Sequence, residues 1–259
     1  MAMTLRVENL EVRFERFRLE VPRLEFPPSS LTAVVGPNAA GKSTLLRSLA
    51  LVLEPGGKSV FFDGRRAAGL DRRERARLIA YVPQELSLSF NYTVLDFLLT
   101  GRAAYIPVFS SPGRADLASV RSTLAYLGLG QYESAGMMEL SSGIRRLVMI
   151  ARALVQEAAV LVLDEPTTFL DPKHELETLV LLRRLVDEKG KTVITALHSL
   201  EAAAAYTDRV VVVKDGRLVA AGPPGEVLVE PVLERTYEMG FTVVDVDGRT
   251  LFVKRDLGR

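Results

Sequence analysis

A chain of 259 residues with 48% hydrophobic content is long enough to bury a large core, and 33 basic against 32 acidic side chains leave a net charge of +1. That balance excludes a global field able to hold the chain on nucleic acid or an anionic membrane. The lack of cysteine excludes disulfides and thiolate metal sites, two histidines (His174 and His198) are too few for a histidine-rich zinc centre, and both facts favour a cytosolic setting.

The opening Met-Ala-Met-Thr-Leu-Arg-Val-Glu lacks the apolar core of a signal peptide, and no apolar run reaches the about 20 residues of a spanning helix. Any membrane role is therefore expected through a partner. Leu5 to Val21 alternates apolar and polar residues with a break near Phe14 to Phe17, which predicts two strands. Leu31 to Val35 is a short apolar, largely β-branched run ending at Gly36, and Lys42 to Val52 carries helical spacing with Leu45, Leu46 and Leu49 on one face. Further strands are predicted at Ser59 to Phe62, Ile79 to Val82, Val160 to Leu163, Thr192 to Ala196 and Arg209 to Val213, with helices between several of them. That order implies a largely parallel sheet. Phe90 to Leu154 shows helical periodicity and no convincing strand, so it reads as a helical insertion. Beyond Pro223-Pro224, a helix and a hairpin around Asp247-Gly248 are predicted.

Three segments carry chemistry. Gly36-Pro37-Asn38-Ala39-Ala40-Gly41-Lys42-Ser43 fits G-x-x-x-x-G-K-[ST] in the required context of strand before and helix after. In such a loop the backbone N–H groups and the helix N-terminus face the β-phosphate of ATP. Lys42 sets a charge between the β- and γ-phosphates, and the Ser43 hydroxyl ligates Mg²⁺. Val160 to Glu165 is an apolar strand ending in two carboxylates. Asp164 is expected to hold Mg²⁺ through water and Glu165 to act as general base on the attacking water. Leu140-Ser141-Ser142-Gly143-Ile144-Arg145-Arg146 opens an apolar helix just before that strand.

The third segment resembles the signature motif of the ATP-binding cassette (ABC) ATPases, usually LSGGQ, and the remaining family elements can be placed in order along nearly the whole chain. The resemblance implies an α/β fold: a P-loop NTPase core with a mainly parallel sheet, N-terminal antiparallel strands and an inserted α-helical subdomain. Residues 1–88 and 158–230 would form the core, 89–157 the helical subdomain and 231–259 a C-terminal extension of one domain. It also implies roles. ATP would be bound by Phe14, stacking on adenine, by Gly36 to Ser43 with Thr44, and by Ser141, Ser142, Gly143 and Asp171, which face the nucleotide of a second subunit. Gln84 in Tyr81-Val82-Pro83-Gln84 resembles the glutamine that joins Ser43 and Asp164 at Mg²⁺ and reaches the attacking water. His198, after the strand Val193 to Leu197, resembles the switch histidine at the γ-phosphate. With Glu165 and Lys42, these two form the expected catalytic set.

The sequence departs from the family pattern at three places. Ala39 stands where glycine is frequent, at a variable position of the loop. Ser142 replaces the first signature glycine, at about 1–2 kcal/mol if the position needs a positive φ. Ile144 replaces a glutamine whose hydrogen bond is worth about 0.5–1.5 kcal/mol. The expected assembly is a homodimer closing head to tail over two ATP molecules. Thr93 to Arg102, Leu170 to Glu177 and Ala220 to Pro224 resemble importers of iron-siderophores, haem, cobalamin and molybdate. That likeness implies permease subunits, an extracytoplasmic solute-binding protein and a place on the cytoplasmic face of the membrane. Phe90, Tyr105, Ile106 and Phe109 are candidates to line a groove for a permease helix, or to pack the insertion itself. The competing reading is a soluble ABC ATPase switch not coupled to transport. No motif points to nucleic acid.

Overall fold

The computed structural model describes residues 3–53, 59–107 and 109–256; the first two residues and the end of the expected C-terminal extension, from 257 onward, lie outside the described residues. β1 (Leu5–Phe14) and β2 (Phe17–Phe26) pair antiparallel, with Phe14 opposite Phe17 across a two-residue turn. Each strand buries alternate residues, and the alternation slips by one at Asn9, where φ is +50°, and again across Pro22-Arg23. Pro22 has no N–H to give to the ladder, which makes it a place where pairing can lapse.

β3 (Leu31–Val35) is buried at all five residues, as a strand covered on both faces must be. The glycine loop follows it and leads into α1 (Lys42–Leu49). The helix stops short of the expected Val52 because Leu51 leaves helical geometry at φ +58°. β4 (Val60–Phe62) and β5 (Arg65–Arg66) extend the sheet beyond β1. α2 (Arg72–Leu78), held by a capping box between Asp71 and Glu74, leads into β6 (Ile79–Val82). Then come α3 (Val94–Leu99), α4 (Arg114–Tyr126) and α5 (Ser142–Val155), with no strand between them among the described residues beyond a single bridge of Thr93 to Gly136.

The chain returns to the sheet through β7 (Val160–Leu163), α6 (Pro172–Asp187), β8 (Thr192–Ala196), α7 (Leu200–Tyr206) and β9 (Arg209–Lys214). β10 (Arg217–Gly222), which the periodicity did not suggest as a strand, precedes α8 (Pro224–Val227) and α9 (Glu230–Tyr237). β11 (Gly240–Val246) and β12 (Arg249–Arg255) form the expected terminal hairpin.

The main sheet runs β5-β4-β1-β2-β10-β9-β3-β8-β7-β6, and the stretch β9-β3-β8-β7-β6 is parallel. Val34 of β3 faces the core under α1, whereas Ala33 and Val35 face the core shared with α7, α9 and the terminal hairpin. A third core packs α3, α4 and α5 against residues of β6 and β7. Because β3, β6, β7 and β8 are parallel, their C-terminal ends share one rim, where open α/β sheets place their ligands.

Candidate functional site

The loop after β3 is shaped by glycine where no other residue fits. A Cβ on Gly36, at φ +153°, would lie 2.0 Å from the carbonyl oxygen of Val213, and one on Gly41, at φ +106°, would lie 2.7 Å from the Phe17 ring. Ala39 sits in the left-handed region at φ +61°. The frequent glycine at that position is thereby explained, and the alanine costs about 1–2 kcal/mol. Gly41 caps α1 without a side-chain acceptor, so the helix start presents N–H groups to an anion. Lys42 is buried, and its Nζ donates to the carbonyls of Gly36 and Pro37 at 3.0 Å each. Burial pulls its pKa down, and the charges of Glu165 and Asp164 oppose that shift. The cleft above the loop, about 610 Å³, is lined by residues 38–44 together with Gln84, Glu165, Thr168 and His198.

The two carboxylates have separate surroundings. Asp164 is fully buried; Ser43 Oγ donates to its Oδ1 at 2.9 Å and the Tyr81 hydroxyl to its Oδ2 at 3.0 Å. Arg47 Nε donates in turn to the Tyr81 oxygen at 3.3 Å. Burial pushes the Tyr81 hydroxyl up to about 12, keeping it a donor at neutral pH. Glu165 holds a left-handed backbone at φ +47°, a conformation that costs an L-residue free energy and concentrates at functional sites. Its Oε2 accepts from Gln84 Nε2 at 2.7 Å and Thr168 Oγ1 at 3.3 Å, and lies 2.8 Å from His198 Nε2. Gln84 follows β6, Glu165 follows β7 and His198 follows β8, so the parallel register itself assembles this group.

Other candidate residues lie apart. Phe14 is 52% exposed and does not line the cleft, whereas Phe17, its neighbour at 6.5 Å between ring centres, does. Ser141, Ser142, Gly143 and Asp171 are likewise absent from the cleft lining. Ser141 caps α5 by accepting from the Ile144 N–H at 3.4 Å, and Asp171 caps α6 by accepting from the Lys173 and His174 N–H groups at 3.0 Å. Ser142 is the first residue of α5 and is not among the positive-φ positions, so the strain contemplated for it does not arise; it falls on Ala39 instead. Ile144 packs against the core of the helical insertion. His174 connects the two caps: its Nδ1 lies 2.5 Å from Asp171 Oδ2, and its ring fills the space beside Gly143.

Of the groove candidates, Tyr105 serves the insertion's own packing, with its hydroxyl donating to Gln156 O at 3.2 Å and Arg102 over its ring at 3.9 Å. Ile106 gives its carbonyl to Arg73 at 3.3 Å, Phe109 is fully exposed and Phe90 stands edge-on to Tyr92. The observed groove, about 440 Å³, is lined by Tyr81, Pro83, Leu86, Leu88, Tyr92, Phe97, Thr100, Met149 and Arg152. Sequence reasoning missed Phe17, Thr168 and Phe169 in the nucleotide cleft, and Tyr81 beside Asp164. Tyr81 had a usable signal, since it pairs with Val162 two residues before Asp164 once β6 and β7 are set side by side.

The family model described as ABC transporter matches residues 19–168. The chain is 38% identical over 237 residues to a cobalamin import ATP-binding protein of Halobacterium salinarum, covering 91% of this chain but spanning 59% of that protein's length. It is 34% identical over 258 residues to the ferric enterobactin transport ATP-binding protein of Escherichia coli K12, covering 98% and 94% of the two chains. Among solved structures, a chain described as from a metal-chelate type ABC transporter in an inward-facing conformation superposes with a TM-score of 0.85 at 27% identity, covering 98% of each chain. An ATP-binding cassette of an ABC transporter in its ADP conformation gives 0.80 at 25% identity over 92% of this chain and 99% of that one. The α/β P-loop fold expected from the sequence is thus the fold observed, and the chain belongs to the ABC transporter family with the architecture of its ATP-binding cassettes.

Proposed function

We propose that this chain is the ATP-hydrolysing subunit of an ABC importer that takes up a metal chelate, cobalamin or oxyanion. The observation that carries the reading is the convergence of Gln84, Thr168 and His198 on one oxygen of Glu165, beside the Lys42-Ser43 loop. ATP occupies the cleft over residues 36–44, with the Phe14–Phe17 pair offering the aromatic surface for its base. A hydroxyl and a buried carboxylate already in contact, Ser43 and Asp164, are the oxygen donors a hard dication requires, so these two and Gln84 would hold Mg²⁺. When bound, that ion offsets charge on the phosphate oxygens. Glu165 takes a proton from the attacking water as the new P–O bond forms and the bond to the β-phosphate oxygen breaks. His198 and Gln84 hold the carboxylate in position, and the Lys42 charge balances the leaving phosphate.

Ser141, Ser142, Gly143 and Asp171 lie outside this chain's own cleft, which supports their facing the nucleotide of a second copy in a head-to-tail homodimer. Residues 1–88 and 158–230 act as the catalytic core, 89–157 as the helical subdomain and 231–259 as an extension. Coupling to transport runs through separate permease subunits at the cytoplasmic face, with a solute-binding protein outside, a reading supported by the names of relatives that are ATP-binding proteins of importers. No helix among the described residues is long and apolar enough to cross a membrane. The groove between Pro83 and Met149 is the seat proposed for a permease segment. The names of relatives that import cobalamin, ferric enterobactin and petrobactin support the substrate class. The test is ATP-dependent uptake of cobalamin and ferric siderophores by vesicles containing this subunit and the permease that co-purifies with it. Full ATPase activity with no membrane partner and no uptake would instead identify a soluble switch.

A further inference from the structure

Arg146 lies one turn into α5 and is 7% exposed. Its guanidinium donates from Nη1 to the carbonyl of Pro83 at 2.9 Å and from Nη2 to the carbonyl of Gln84 at 2.6 Å. Burial lowers its pKa, and the charges of Asp164 and Glu85 oppose that shift. A guanidinium taken out of water is costly unless its fork is fully used. Here the fork spans two consecutive carbonyls and so fixes the orientation of the two peptide units on either side of residue 84, which a single ammonium cannot do. The same residue 84 sends its side chain the other way, Nε2 to Glu165 Oε2 at 2.7 Å. A continuous line of contacts therefore runs from helix α5 through residues 83–84 to the carboxylate.

We propose that Arg146 is a positioning residue for hydrolysis: by clasping the carbonyls of Pro83 and Gln84 it holds the Gln84 amide on Glu165 and ties that contact to the placement of α5. The inference rests on the reading of Glu165 and Gln84 as the hydrolytic pair. A displacement of about 1 Å at residue 84 would break the contact, and misplacements of that size cost up to about 100-fold in rate.

The test is a double-mutant cycle in the full chain with Arg146→Gln, Gln84→Ala and the combination, reading steady-state turnover and ATP affinity separately. Arg146→Gln is expected to lower kcat about tenfold with ATP affinity within twofold. The double variant should lose no more than twofold beyond Gln84→Ala. Arg146→Lys keeps the charge without the fork and should fall between Arg146→Gln and the parent; it also provides the reading if Arg146→Gln fails to fold. Multiplicative losses in the double variant, or an Arg146→Lys variant with parental kcat, would overturn the proposal. Fast turnover in Glu165→Gln would instead overturn the underlying assignment of the pair.

Discussion

Replacing Glu165 by glutamine tests the site most directly, because the two effects it combines are read by separate assays, melting for the fold and turnover for the chemistry. The glutamine side chain keeps an acceptor oxygen where Oε2 now meets Gln84, Thr168 and His198, so the contacts are weakened and not deleted. A hydrogen bond to a charged acceptor is worth about 1.5–3 kcal/mol and a neutral one about 0.5–1.5, so each of the three contacts weakens by about 1 kcal/mol and the fold should lose about 3 kcal/mol. For a chain of this size that is a melting shift of about 6–12 °C. Loss of the base, in contrast, removes about 10²–10⁴-fold of rate, or about 3–5 kcal/mol of barrier. Phosphate release at saturating ATP should therefore fall at least 100-fold in a folded protein. Size-exclusion chromatography with ATP should show a persistent dimer. A folded variant that turns over at more than a tenth of the parental rate would refute the assignment of Glu165 as base.

Tyr81→Phe removes the donor to Asp164 Oδ2 at 3.0 Å and should raise the Mg²⁺ concentration for half-maximal ATPase about tenfold, as loss of an outer partner of a metal ligand does. Titration of activity with Mg²⁺ checks this, and an unshifted midpoint rejects it. Ser142→Gly restores the frequent residue of the family motif, but it does so inside the first turn of α5. It should therefore cost about 0.5–1 kcal/mol, seen as a melting point lowered by about 1–4 °C, and an increase in stability would contradict the helical placement. Burial pushes the hydroxyl of Tyr237, on α9, up to about 12, and the Gly36 N–H opposes that shift. A raised folded pKa means that the unfolded chain releases this proton first, so stability falls as pH rises from about 10 to about 12. Tyr237→Phe should flatten that alkaline loss by about 3 kcal/mol in urea titrations. An unchanged alkaline slope would show that the hydroxyl does not stay protonated in the fold.

The strands that carry the site were legible because each is short, apolar and ends on its functional residue. Val160–Leu163 stops at Asp164 and Thr192–Ala196 stops just before His198. Burial periodicity and local motif agree there, so one dimension suffices. The end of α1 was not legible, since nothing in Leu51 announces the left-handed turn that the surrounding packing imposes. The strain assigned to Ser142 failed for a related reason: a family pattern says which residue is usual, while φ is set by the local path of the chain. Tyr81, Thr168 and Arg146 work through neighbours more than 60 residues away or through a loop geometry that exists only once β6 and β7 lie together.

The strand that launches the nucleotide loop has consequences for when the protein becomes competent during synthesis. β3 is complete by residue 35, yet its two sheet neighbours are β8 and β9, made from residues 192–196 and 209–214. The N-terminal hairpin needs only residues 5–26 and can close early. The loop that holds the phosphates must wait, with its strand unpaired on both edges, until most of the chain has left the ribosome. Long-range pairing of this kind is slow and leaves apolar strand exposed meanwhile. A product truncated before β8 would thus carry the whole Gly36–Ser43 motif and bind no nucleotide, so nucleotide protection of a nascent chain should appear abruptly near completion.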